Sequence, residues 1–251
     1  DSQGSCDLYS AEKMEGEWQE PKNMGVRINS SFWDSQPSLS ADGRLLFFSS
    51  DRRGGLGGND IWYSVRNTDG SWSDAKNLGS PINTPKDEIS PFLFFNNETL
   101  FFASDGHLGF GGMDIFLSRV SEGGFEEPEN LGLPINDQQD QVALFITAQK
   151  DYAYYSELST SPQFKDRAYL YRFKFPEQID LGEKLTVTEG KVFHAKTGAP
   201  ISASLSLVSL ANDSTRYQFQ SESKNGSFIM LYPEWSEAGL YVEKDGFLPK
   251  I

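Results

Sequence analysis

Ser49 to Trp62 reads SSDRRGGLGGNDIW, and Ala103 to Phe116 returns the same chemistry as ASDGHLGFGGMDIF. A chain that repeats its sequence at a fixed spacing must repeat its fold. Each copy opens on a small residue and an aspartate, passes through a glycine-rich loop, and closes on aspartate, isoleucine and an aromatic residue. Asp7, Asp60 and Asp114 are spaced 53 and 54 residues apart, and Gly25, Gly79 and Gly132 by 54 and 53. Trp18, Trp72 and Phe125 keep this phase, as do Asn23, Asn77 and Asn130, and the Ile-Asn pairs at 28–29, 82–83 and 135–136. A weaker fourth echo runs through Tyr154-Tyr155-Ser156-Glu157 and Ala168-Tyr169-Leu170-Tyr171.

Within one period the apolar runs are short. Leu45-Leu46-Phe47-Phe48 and Leu100-Phe101-Phe102 have the length and composition of buried strands, and helical periodicity is absent at any useful length. Four short strands are expected per period: around Ser38, over Leu45 to Ser49, over Asp60 to Ser64, and at a Trp72-type segment before Asn-Leu-Gly. Four strands in a repeat of about 40–50 residues is the arithmetic of a β-propeller blade. The spacing therefore predicts an all-β fold with blades over residues 1–175. About three and a half blades fit there, against the four to eight of closed propellers, so a fragment of a larger propeller is expected.

After a short linker at 176–184, the pattern changes. Alternating strands are expected at Thr186–Phe193, Ala203–Val208, Arg216–Ser221, Ser227–Leu231 and Leu240–Glu243, with an Asn225-Gly226 hairpin turn among them. Residues 185–251 thus read as a small antiparallel β-sandwich.

Composition narrows function. With 36 acidic and 22 basic residues the net charge is −14, which repels nucleic acid and anionic membrane surfaces. Nucleic acid is therefore not an expected partner, whereas a basic protein is compatible. The lone Cys6 cannot form an internal disulfide. Two histidines, His107 and His194, with no paired spacing, do not supply a zinc site. No Gly-x-Ser-x-Gly elbow is present, and Gly54-Gly55-Leu56-Gly57-Gly58 is not followed by Gly-Lys-Ser/Thr, so neither a serine nucleophile nor a phosphate loop is expected. No catalytic residue, metal or cofactor is assigned.

The polar positions that recur are Asp51, Asp60, Asp105 and Asp114, with Gly58 and Gly112 in the loops between them. An aspartate accepting backbone N–H bonds pins a tight connection, and every repeat must be built alike, which favours a structural role over calcium binding. Arg52, Arg53 and His107 interrupt the likeness between copies. As exposed loop residues they are the candidates for reading a partner.

The run Pro37 to Arg52, the Gly-Gly-x-Asp-Ile-Trp closing segment and Asn77 to Asn83 resemble the TolB-type, WD-repeat-like propeller repeat, and more closely the version in outer-membrane-protein-A-family lipoproteins of the Bacteroidota. Glu189-Gly190-Lys191-Val192, Thr197 to Ile201, Asn225 to Phe228 and Gly246-Phe247 are similar to the carboxypeptidase regulatory-like, transthyretin-like domain, a non-catalytic sandwich. The joint resemblance implies a non-enzymatic periplasmic scaffold associated with the outer membrane. Its partners would be other envelope proteins of the type IX secretion or gliding kind, and peptidoglycan through a domain outside this chain. Two other readings compete: a propeller that gates a peptidase or hydrolase, and a glycan-binding module that uses Trp33, Trp62 and Trp72.

Overall fold

The computed structural model describes residues 2–14, 17–67, 69–159, 167–182, 185–210, 216–233 and 237–247, and among them every regular element is a strand. The chain divides into two compact units, Asp1–Ile179 and Asp180–Ile251.

The first unit opens on four two-residue strands, β1 (Tyr9–Ser10), β2 (Lys13–Met14), β3 (Glu17–Trp18) and β4 (Lys22–Asn23), with β1 paired to β4 and β2 to β3. A four-stranded antiparallel meander follows: β5 (Asp34–Leu39), β6 (Leu45–Ser50), β7 (Asp60–Val65) and β8 (Lys76–Asn77). The next sheet repeats it with β9 (Glu88–Leu93), β10 (Thr99–Ser104), β11 (Asp114–Ser121), β12 (Gly124–Phe125) and β13 (Glu129–Asn130), the last two both paired to β11. A three-stranded sheet of β14 (Asp140–Ile146), β15 (Tyr152–Leu158) and β16 (Ala168–Lys174) ends the series. These antiparallel sheets follow one another in sequence order. The fourth strand differs from expectation in its position. Trp72 makes only an isolated bridge to Arg66, and the pairing strand is Lys76–Asn77.

The apolar runs are continuous because each second strand is covered on both faces. Leu46 and Phe48 pack with Leu8, Ile28 and Trp62, while the intervening Phe47 packs with Ile61, Ile82, Leu93, Leu100, Phe102 and Phe116. Successive side chains point to opposite faces, so a strand between two neighbouring sheets needs apolar residues at every position. Five phenylalanines, Phe48, Phe94, Phe101, Phe102 and Phe116, are among the largest fully buried side chains.

The first strand of each sheet carries a bulge at the same phase. Gln36, Ser90 and Ala143 have φ of 55°, 53° and 57°, and the ladders shift register beside them. A non-glycine residue in this region costs on the order of 1 kcal/mol, so three in phase belong to the architecture rather than to local accident.

The second unit contains β17 (Leu185–Lys191), β18 (Ser204–Ser209), β19 (Arg216–Gln220), β20 (Ser227–Pro233) and β21 (Ala238–Glu243). They form two antiparallel sheets, β17-β20 and β19-β18-β21. Leu205 and Leu207 from one sheet and Met230 from the other share a core with Val192, Phe219, Phe228 and Val242. The strands fall within a few residues of the alternating segments of the sequence.

Glycine is required in the loops for space. A Cβ on Gly57 would lie 2.1 Å from the Lys86 carbonyl oxygen and 2.5 Å from that of Thr84, both backbone atoms of the next sheet's entry loop. A Cβ on Gly123 would meet nothing within 4 Å. Gly57→Ala is therefore expected to cost about 1–3 kcal/mol in urea unfolding, and Gly123→Ala less than about 0.5 kcal/mol. Equal effects would show that the two loops are not clamped differently.

Candidate functional site

Asp34 opposes Ser50, and Ser50 opposes Asp60, so the first strand's start, the second's end and the third's start lie at one end of the sheet. Glu88, Ser104 and Asp114 do the same in the next sheet. The recurring polar residues therefore converge on one end of the repeats, where their hydrogen bonds fall into three layers.

The first layer closes the glycine loop. Asp60 Oδ2 accepts from the Leu56 N–H at 2.6 Å and from the Asn77 amide at 3.0 Å, and its Oδ1 accepts from the Gly57 N–H. Asp114 accepts from the Phe110 and Gly111 N–H groups, and Asp7 from the Gln3 and Gly4 N–H groups and the Asn23 amide. Burial pushes the Asp60 carboxyl up, against its N–H donors and with help from the charge of Asp87.

The second layer is an asparagine that replaces strand pairing. Asn83 Oδ1 accepts from the Ile61 N–H at 2.8 Å while its Nδ2 donates to the Ile61 carbonyl at 2.9 Å and to Asn77 Oδ1 at 3.0 Å. Asn29 treats Leu8 this way, and Asn136 treats Ile115. Because the fourth strand is only two residues long, buried backbone groups of the third would otherwise be orphaned.

The third layer fixes the residue before each first strand and, through Asp87, joins one repeat to the next. Asp51 accepts from the Trp33 N–H and Asp105 from the Asp87 N–H, while Asp87 itself accepts from the Asn59 backbone and amide. A Cβ on Gly58 would lie 2.5 Å from Asp87 Oδ1, and one on Gly112 2.3 Å from Asp140 Oδ1, which receives the Met113 N–H. Gly58 and Gly112 thus sit where the loops press on the following repeat. The four recurring aspartates are held by backbone and amide donors, and no group of three or more histidine, cysteine, aspartate or glutamate side chains able to hold a metal occurs among the described residues.

Two of the expected partner-reading residues are elsewhere than expected. The Arg52 side chain is 12% exposed, ion-paired at 2.5 Å to Asp34, which is fully buried, and bonded to Ser50 and the Ile28 carbonyl. Its guanidinium lies 5.0 and 5.1 Å from the Phe48 and Trp62 ring centroids. His107 Nε2 sits 2.9 Å from the Ile82 carbonyl, with its ring packed against Phe102 and Phe116. Ile82 is the repeat equivalent of Ile28, so Arg52 and His107 do the same work in successive copies, reached from loops of different composition. Arg52 compensates the buried Asp34 carboxylate directly, while His107 contributes a nearby charge to Glu88. Arg53 is exposed. Of the tryptophans, Trp62 is buried at 7% exposure, and Trp33 and Trp72 are half-buried.

That carboxylate position escaped the sequence reading. Asp34, Glu88 and Gln141 occupy one phase, and all are fully buried. Glu88 accepts from the Thr84 N–H and hydroxyl and from the Ser104 hydroxyl, each at 2.7 Å, as Asp34 does from Ser30 and Ser50. Three different residue types at one position hide the period, and only the spacing to Ser50 and Ser104 could have signalled it.

No protein-family model matches the chain, and no curated protein does either. Among solved structures it is similar to TolB from Acinetobacter baumannii, at 12% identity and a TM-score of 0.40, over 87% of this chain and 47% of that one. A putative TolB from Agrobacterium tumefaciens gives 12% and 0.41 over 90% and 70%, and the periplasmic gluconolactonase PpgL of Pseudomonas aeruginosa 14% and 0.39 over 98% and 67%. The chain thus spans about half the length of the first of these. Likeness of this size says nothing of substrate or partner.

Burial pushes the Glu88 carboxyl above its ordinary value of 4.5, against the bonds from Thr84 and Ser104 and the charge of His107. A group whose folded pKa is raised favours the native state when protonated, and that contribution is lost as pH rises from the unfolded value through the folded one. Glu88→Gln, which places in this repeat the side chain found at 141 in the next, is expected to gain stability relative to the parent as pH rises from acid to neutral. Urea midpoints across that range check it, and a difference independent of pH would contradict it.

Proposed function

We propose that the chain is a non-enzymatic, periplasmic protein-interaction scaffold. In this reading its first unit supplies β-propeller blades, about three and a half, and its second a carboxypeptidase regulatory-like sandwich. The whole protein would be an outer-membrane-associated member of the outer-membrane-protein-A family, tying an envelope complex of the type IX secretion or gliding kind to peptidoglycan through a domain outside this chain.

One observation carries the reading: Asp7, Asp60 and Asp114 accept backbone N–H bonds at the same loop position in successive repeats. The recurring chemistry goes into holding loops still, while the residues those loops display change from copy to copy. A rigid frame with variable loops is how binding surfaces are built on repeat folds. The net charge of −14 suits a basic protein partner and opposes nucleic acid.

The test is affinity purification of the full-length protein from crosslinked envelopes, read by mass spectrometry. Outer-membrane secretion or motility proteins are expected, together with peptides of a peptidoglycan-binding tail on the same polypeptide. A hydrolase domain on that polypeptide would overturn the reading and make this unit its gate.

A further inference from the structure

The two ends of the blade-type sheets differ in character. At one end the turns are polar: Asp42-Gly43-Arg44, Asn96-Asn97-Glu98 and Glu122-Gly123-Gly124. At the other, the loops carry large apolar side chains into solvent, with Leu108 95% exposed, Val26 75%, Leu133 69%, and Leu56 and Phe110 both 53%. Leu56 and Phe110 are repeat equivalents, 54 residues apart.

These side chains do not sit on slack loops. The Leu56 and Phe110 N–H groups are the ones fixed by Asp60 and Asp114, and the flanking Gly57 and Gly111 lie against backbone carbonyls of the next repeat. Loop meets loop along this end. Arg52 reaches Ile28, Gly58 abuts Asp87, Gly106 abuts Thr84, and Gly112 abuts Asp140. The result is one continuous rim with apolar groups held in place, so little ordering entropy is lost when they are covered. Between them Asp51, Asp87, Asp105, Asp137 and Asp140 are exposed or half-buried, and the exposed cations of these loops are fewer: Arg53, Lys86 and Arg27, with Lys86 and Arg27 facing Asp105 and Asp74.

We propose that this rim is a docking face for a cationic amphipathic segment of a partner protein, with Leu56, Leu108 and Phe110 as apolar anchors and the loop aspartates as counter-charges. The proposal rests on the protein-interaction reading and gives it a place. Apolar anchors set in a charged surround are the usual anatomy of such sites, and the acidic field selects a basic occupant.

The test titrates the whole protein with a fluorescent amphipathic Lys–Leu peptide, and with Glu–Leu and Lys–Ser peptides as controls. The Lys–Leu peptide alone is expected to bind. Combining L56S, L108S and F110S should weaken it by at least about tenfold, whereas L39S with V120S, exposed positions towards the polar end, should not. Because all five positions are exposed, unchanged urea midpoints are expected throughout. Equal binding by the loop variant, binding of all three peptides alike, or no binding of the Lys–Leu peptide would overturn the proposal. Self-association abolished by the loop substitutions would give the face to a second copy and overturn it too. If crosslinked envelope partners persist with the loop variant, this face is wrong and the scaffold reading stands. If the parent protein captures none, the scaffold reading itself fails.

Discussion

A two-residue fourth strand cannot pair the full length of the third, and the asparagine that stands in for it is what the repeated architecture depends on. Asn83 supplies both an acceptor and a donor to Ile61, doing with one side chain what a strand residue does with its backbone. Asn77 turns its amide to Asp60 and its oxygen to Gly79 and Asn83, which connects the short strand to the glycine loop. Leaving such buried groups unpaired would cost about 1–3 kcal/mol each. The same pair of asparagines recurs at 23 and 29 and at 130 and 136, so the solution is repeated wherever the problem is.

Charge is handled at the same end by a second device with more variety. One buried position holds Asp34, Glu88 and Gln141 in turn. Asp34 has an arginine in direct contact, whereas Glu88 has hydroxyl and amide donors with His107 near by, and Gln141 bonds to Asp137 without a charge of its own. The series runs from an ion pair, through a carboxyl that burial pushes up, to a neutral amide. Geometry is kept while electrostatic character changes.

The residues that give the repeat its visible period are those whose chemistry admits no substitute. Only glycine fits at 57 and 111 against a neighbouring backbone, and the loop-closing carboxylate is aspartate at 7, 60 and 114. Arg52 and His107 looked like departures because they fall at different distances from the preceding aspartate, yet both end on the carbonyl of an equivalent isoleucine. Side-chain length absorbed the offset. The bulges at Gln36, Ser90 and Ala143 were invisible for a related reason, since a left-handed residue imposed by strand packing leaves no signature when it is not glycine.

By itself, the sequence determined the all-β class, the 54-residue spacing, the second and third strands of each sheet and the change of pattern near residue 180. Those follow from local periodicity and from residues with no alternative. The tertiary structure decided which carboxylates face backbone amides, which loop cations are buried, and which end of the sheets displays Leu56, Leu108 and Phe110. The last two depend on contacts between residues distant in sequence: Arg52 meets Asp34 across 18 positions, and the Gln36 side chain accepts from the Ser90 N–H across 54, which no local pattern encodes.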